Sequence, residues 1–443
     1  MHYQHAYSGA VAALRVRRSL LMRALGDAAA LVTSGEPPSR NYPANTYDFR
    51  ASSHFLYLVG VPLVGASLLL HEGRAELFVP MPEPDDALWH GEQPGLDALA
   101  AATGVDVIRP TAELAARLAA VGTLGRLPAP AVGMRTDGDE RLIDAMITLR
   151  LRHDDFAVHE LRRAAAVTAR AHAAGQRATR DGVAVAAVRA AMEQEILAAD
   201  FTTAYASIVT VRGEVLHNHD RSGRCQAGDL LLADVGAETD SGWAGDVTRT
   251  WPVRGSFSAS QRAIYEVVLQ AQKAAIAAVR PGVRYRDVHL TASRVLCAGL
   301  CDVGLLRGDV DGLVERGAHA LFFPHGIGHL LGLDVHDMED LGDRAGYGPG
   351  RGRSSQFGLC YLRLDRDLQP GMAVTIEPGL YFVPAILNNP TLTAPFADAL
   401  NRDALAGFAD VRGIRIEDDV LVTASGHEVL TAAIPKEVSA VAA

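Results

Sequence analysis

The sequence predicts a mixed α/β protein, α+β in overall arrangement, with one domain over residues 1–155 and a second over 156–443. Three observations predict it. A chain of 443 residues, 49% hydrophobic and 21% charged, is a globular sequence, and it is longer than the roughly 250–300 residues at which single cores stop growing. From residue 11 to about 150, helical patterns alternate with short apolar runs. The charged stretch "LRLRHDDF" (149–156) then breaks the rhythm, and two long Ala-rich helical segments lead into a region of short strand patterns.

In chain order, "VAALRVRRSLLMRALGDAAALV" (11–32) sets its apolar positions at helical spacing and is read as a first amphipathic helix, although its arginines also resemble an organelle transit peptide. "FLYLVGV" (55–61), "SLLLHEG" (67–73) and "AELFVP" (75–80) read as strands, and the Pro-rich "PMPEPDD" as a turn. "LDALAAATG" and "AELAARLAAVG" read as helices closed by glycine. In the second domain, helices are expected over "AVHELRRAAAVTARAHAAGQRAT" and "GVAVAAVRAAMEQEILAAD", then at about 258–280 and 286–300, with strands between and after them. "GDRAGYGPGRGRSSQFG" (342–358) is a long loop, of a length that is usually functional or mobile.

Composition narrows the function. A formal net charge of -10 with no long Lys/Arg run argues against nucleic acid and anionic membranes as partners. No apolar run approaches the roughly 18 residues of a membrane span, and the N-terminal residues lack secretory order. A cytoplasmic protein acting on small molecules or peptides is expected. Four cysteines (Cys225, Cys297, Cys301, Cys360) are too few and scattered for a disulfide framework; Cys297 and Cys301, one helical turn apart, read as core.

The chemistry lies in four segments. In "LLLADVGAETDSGWAGDVTRTW" (230–251) two strand-like runs flank a polar turn. With the turn centred on Asp240, Asp234 and Asp246 stand directly opposite each other and on the same face. "AVTIEPG" and "GIRIEDDVLVT" each set a glutamate, Glu377 and Glu417, inside an apolar β-rich run, Glu417 on the face of Arg415. So many acids among apolar neighbours need compensation, and divalent cations bridged by carboxylates are the usual means. "HGIGHLLGLDVHD" (325–337) packs three histidines and two aspartates into an apolar stretch, open to reading as metal site, acid–base apparatus or buried strand and turn. There is no HExxH, because Gly326 follows His325, and no GxSxG elbow, GxGxxG or phosphate loop.

Four segments, "DVGAETDSGWAGDVTRTWPVRG", "HGIGHLLGLDVHD", "LQPGMAVTIEPGLYF" and "GIRIEDDVLVT", resemble in order and content the pita-bread metallopeptidases of the proline-specific branch, prolidases and aminopeptidase P. Looser similarity extends this over nearly all of 155–435, and "FRASSHFLYLVG" and "LFVPMPEPDDALWHG" look like the family's N-terminal creatinase-like α/β domain. The resemblance implies a C-terminal pita-bread catalytic domain and a dinuclear site held by Asp234, Asp246, His329, Glu377 and Glu417, with Asp246 and Glu417 bridging. Two divalent ions are implied, Mn(II) first and Co(II) or Zn(II) next, with a hydroxide between them attacking the peptide carbonyl and Glu377 moving its proton. One departure is an extra residue between the two aspartates, which falls in the turn. His217, with His219 as a competitor, His325 and His336 match the substrate-handling histidines. Arg363 stands where prolidases pair an arginine with the substrate's carboxylate, and Arg415 is the second substrate contact. With the long insert at 388–412, this implies an Xaa-Pro dipeptidase acting on proline-containing dipeptides, in a homodimer. Aminopeptidase P is the alternative, and a metal-free creatinase-like hydrolase or noncatalytic binding protein is a more distant one.

Overall fold

The computed structural model describes residues 5, 7–91 and 95–442. The chain forms two compact units, Met1–Glu160 and Leu161–Ala443.

In the first unit a five-stranded sheet runs in the order Val107–Pro110, Arg74–Val79, Ser67–His71, Ala29–Thr33, Leu124–Leu127. Its three central strands are antiparallel and each edge strand is parallel to its neighbour. The first helix, Ala10–Leu25, ends where Gly26 takes φ 64°, so the "AALV" read as helical belongs to a strand instead. "FLYLVGV" also differs from expectation: Ser53–Val59 is a helix, buried at all seven positions and ended by Gly60 in the left-handed region. An apolar run this short fits a buried strand or a buried helix equally by periodicity, and the glycine stop decides. "AELAARLAAVG" forms only a 3-10 turn and a short helix, Leu114–Leu118. Arg17 and Arg18 of the first helix are buried clamps. Arg17 binds Asp154 and the Tyr57 carbonyl, and Arg18 binds the carbonyls of Leu58, Thr103 and Gly104. Asp139, fully buried, closes the capping box of helix Asp137–Arg150 with Thr136 and takes a bidentate Arg126.

The second unit carries two three-stranded antiparallel sheets. One joins Thr248–Pro252, Leu230–Asp234 and Ile208–Thr210; the other joins Ala373–Ile376, Asp418–Val422 and His427–Val429. A pair, Gly379–Tyr381 with Gly413–Arg415, lies in sequence next to the second sheet. Helices Ala259–Ala278 and Tyr285–Asp302 pack on each other, the first opened by a Ser258/Gln261 capping box. The sheets are tied where the Glu417 amide donates to the Thr248 carbonyl at 3.0 Å. All four cysteines are free, Cys297 buried and Cys301 half-buried.

The expected register of 230–251 is corrected. Asp234 pairs with Thr248, not Asp246, and the ladder continues through the Val235 amide to the Val247 carbonyl and the Thr239 amide to the Trp243 carbonyl. The turn is centred on Ser241 because Gly242, at φ 89°, supplies the left-handed residue that closes it. Each strand slides by one relative to the turn, so Asp246 falls two positions from Asp234's partner. A shift of two keeps the face, and the two aspartates still converge, diagonally.

Candidate metal centre

Every sequence-predicted site residue lies in the second unit, and all of those named as ligands, substrate contacts or catalytic histidines line one pocket of about 400 Å³. That volume is within the range of small-ligand sites. Asp246, His329 and Glu417, all buried, bring ligand atoms within 4.8 Å of one another. Asp234 and Glu377 line the same pocket beside that trio.

The backbone places these groups closely. His329 follows Gly328, whose φ is 154° and whose missing Cβ leaves room for the Thr375 carbonyl and hydroxyl. Strand Ala373–Ile376 can therefore approach: the His329 amide donates to Thr375 Oγ1 and the Thr375 amide to the His329 carbonyl. His329 Nδ1 donates to the Leu330 carbonyl at 3.0 Å, which leaves Nε2 facing the acids, 3.3 Å from Asp246 and 3.6 Å from Glu377.

The electrostatics are those of a site short of positive charge. Burial, with Asp246, Glu377 and Asp234 as neighbours, pushes the Glu417 carboxyl far above its ordinary range. Burial raises Glu377 to about 7 and raises Asp234 in spite of Arg415. Burial alone would lower His329, but its bond to Asp246 and the charge of Glu377 lift it to about 9. The imidazolium thus sets a proton-borne positive charge beside four carboxylates. Hard oxygen donors with one imidazole fit a divalent cation such as Mn(II), Co(II) or Zn(II), which would take the place of that proton.

Around the acids stand hydrogen-bonding partners that, Arg415 apart, the sequence did not single out. Tyr205 donates to Asp234 Oδ1 and Arg415 to Asp234 Oδ2, both at 2.6 Å. Thr248 donates to Glu417 Oε2 at 2.7 Å, and buried Asp419 accepts the Asp246 amide. These come from segments remote from the acids they hold, so no local pattern marks them. Arg415, expected as a substrate contact, lines the pocket but has its guanidinium committed to Asp234, Thr248 and the Tyr381 hydroxyl.

The histidines divide. His217 lines the pocket, makes no hydrogen bond to the protein among the described residues, and is held neutral at lowered pKa chiefly by burial. His219 is not among the lining residues. His325, pushed down to about 3 by burial and Arg415, donates from Nδ1 to the Gly326 carbonyl and accepts the Tyr381 hydroxyl at Nε2. The His336 ring lies tilted against that of His329, centroids 4.0 Å apart, and His336 Nδ1 is 3.4 Å from Glu339. Asp337 Oδ1 accepts the Asp334 amide, so these two aspartates shape the turn.

The long loop contributes Arg353, held by Asp343 and the Leu362 carbonyl, to the pocket wall, and Tyr361 lines the mouth. Arg363 lines it as well, its Nη1 donating to Glu339 at 2.7 Å. No described residue of 388–412 lines the pocket.

Comparison with known proteins agrees with this picture. The family model "Metallopeptidase family M24" matches residues 159–424, and "Aminopeptidase P, N-terminal domain" matches 14–125. A human protein named Xaa-Pro dipeptidase is 42% identical over 218 residues, a match spanning 49% of this chain and 43% of that protein. A Podospora anserina protein named "Probable Xaa-Pro aminopeptidase PEPP" is 32% identical over 405 residues, 87% of this chain and 86% of the relative. The solved structure of Pseudomonas aeruginosa aminopeptidase PepP superimposes with a TM-score of 0.79 at 32% identity, covering 97% of this chain and 96% of that one. With its carboxylate-rich pocket on a pita-bread fold and an aminopeptidase P type N-terminal domain, the chain belongs to metallopeptidase family M24.

Proposed function

We propose that the protein hydrolyses the peptide bond between an N-terminal residue and a following proline, with Xaa-Pro dipeptides as its preferred substrates. Two divalent cations, manganese before cobalt or zinc, would be held by Asp234, Asp246, His329, Glu377 and Glu417. The observation that carries this reading is a single pocket in which those five residues converge with Arg363. The names of the relatives support the Xaa-Pro bond.

Bound cations supply electrophilic polarisation and an activated water. The chain's own groups do the rest. Glu377, which lines the pocket beside His329, is placed to accept a proton from the attacking water and return it to the departing proline nitrogen. His217, without a hydrogen-bond partner among the described residues, is available to hydrogen-bond the scissile carbonyl as negative charge develops there. His325 has both ring nitrogens engaged, so it acts by holding Tyr381, which in turn braces Arg415 and through it Asp234. Arg363 keeps Nε and Nη2 without protein partners among the described residues, an edge that suits a planar carboxylate.

A second reading, removal of the first residue from longer Xaa-Pro peptides, is favoured by the relatives that match nearly the whole chain, which are named aminopeptidases. Turnover of an Xaa-Pro dipeptide against an Xaa-Pro-Yaa tripeptide by manganese-loaded protein separates the two. The dipeptidase reading expects at least about tenfold higher kcat/KM on the dipeptide, abolished by Arg363→Ala. Faster tripeptide cleavage, indifferent to Arg363→Ala, establishes the aminopeptidase.

A further inference from the structure

Glu339 is absent from the pocket wall, yet it touches two residues that form it. Its Oε2 accepts Arg363 Nη1 at 2.7 Å and lies 3.4 Å from His336 Nδ1. Arg363 and His336 reach the pocket from separate segments, and this one carboxylate joins them behind it.

The chain is bent to put Glu339 there. Met338, fully buried, holds φ 62°, a conformation that costs any side-chain-bearing residue and persists only where the surroundings enforce it. Asp337 enforces it from one side: its amide donates to the Leu330 carbonyl and its Oδ1 takes the Asp334 amide. The reversal at Met338 carries Glu339 back beneath His336, three residues earlier, and a 3-10 turn, Glu339–Leu341, begins at that point.

The side chains of Glu339 and Arg363 are 39% and 37% exposed, so this ion pair adds little to fold stability. What it does add is direction. A guanidinium has five donors in a rigid fork, and fixing Nη1 from behind leaves Nε and Nη2 as the edge available to the pocket. Because Glu339 stands outside the wall, its charge supports the arginine rather than occupying the place of a substrate carboxylate.

We propose that Glu339 is a positioning residue that sets the preference for a free C-terminal carboxylate, by aiming Arg363 and joining it to His336. This rests on the dipeptidase reading above and names the device behind it. The two fail differently in one experiment.

Manganese-loaded wild type, Glu339→Gln, Arg363→Ala and the double variant are assayed on an Xaa-Pro dipeptide and on its C-terminal amide, which lacks the carboxylate. Glu339→Gln is expected to raise KM for the dipeptide about tenfold and to leave KM for the amide within about twofold, the split typical of a lost coupling between neighbours. In the Arg363→Ala background, Glu339→Gln is expected to add nothing to the dipeptide KM, and its melting temperature should match the parent's. If Glu339→Gln lowers the dipeptide KM, or its penalty adds in full to that of Arg363→Ala, the positioning role is overturned. If wild type discriminates the acid from the amide and Glu339→Gln still does so equally, the positioning role alone fails. If wild type itself does not discriminate, the dipeptidase reading fails with it.

Discussion

Glu417 and Asp418 are adjacent on one chain and both buried, and they live in opposite electrostatic worlds. Asp418 faces the back of the sheet, where it accepts Arg249, Gln272, Thr431 and Lys436. Burial would raise it, but Arg249 and Lys436 hold it below the ordinary carboxylate range. Arg249 in turn fills its fork with Asp418 and the carbonyls of Pro435, Thr248, Glu417 and Ile434. Glu417 faces the pocket among three other acids, and its ionisation is suppressed. A step of one residue separates charge balanced by the protein from charge left for a ligand to balance. Buried acids mark a metal site where the protein has withheld the countercharge, and mark architecture where it has supplied it.

Substitutions on the two faces should therefore have opposite signatures. Glu417→Gln is expected to lower hydrolytic activity by about 10³-fold or more, while the chelated protein melts no lower than wild type, because Gln replaces a carboxyl whose ionisation is already suppressed and still accepts from Thr248. A marked drop in that melting temperature would put Glu417 on the structural side. Arg249→Ala should do the reverse, costing about 3–5 kcal/mol in urea unfolding because Asp418 stays buried with its main partner gone. Survival of Arg249→Ala at wild-type stability would erase the distinction.

Metal and pH sharpen the contrast. Manganese at about a hundred times its Kd should stabilise the protein by about 2.7 kcal/mol over the chelated form. In the chelated form, Glu377, Asp234 and Glu417 have raised pKa values, so the native state binds more protons than the unfolded chain. Their contribution favours folding at low pH and is lost as pH rises from the ordinary carboxylate range through about 7 and above. The smallest effect lies in the first unit, with the opposite sign. Arg126 and the Thr136 cap hold Asp139 well below its usual value, so its contribution is present above about pH 4 and is lost as pH falls below that. Asp139→Asn should cost about 1–2 kcal/mol near neutrality, measured by unfolding at pH 7 and pH 3, and the difference from wild type should shrink at the lower pH.

Much of the site was legible because its acids break a rule: Asp234, Asp246, Glu377 and Glu417 sit in apolar β-rich runs where unpaired charge is costly. The histidine segment was legible in content, but which imidazole faces the acids depends on Gly328 and Thr375, 46 residues apart at His329 and Thr375. Tyr205, Thr248, Tyr381 and Glu339 were illegible, since each acts through a partner distant in sequence or behind the wall. The hairpin register slipped because two adjacent turn centres suit the same polar residues, and only the conformation of Gly242 separates them. Helix Ser53–Val59 was missed because burial on all sides erases the periodicity that distinguishes it from a strand.

Gly328 carries a lesson about counting ligands. A Cβ there would strike the Thr375 carbonyl and hydroxyl and the Tyr285 hydroxyl, so one methyl group would act as a wedge beside His329. A descendant of this protein with Ala at 328 could keep every side chain proposed as a metal ligand and still lose the centre. An inventory of donors is thus a necessary criterion for an active member of such a lineage and an insufficient one; the space that Gly328 yields to Thr375 and Tyr285 is inherited along with the imidazole.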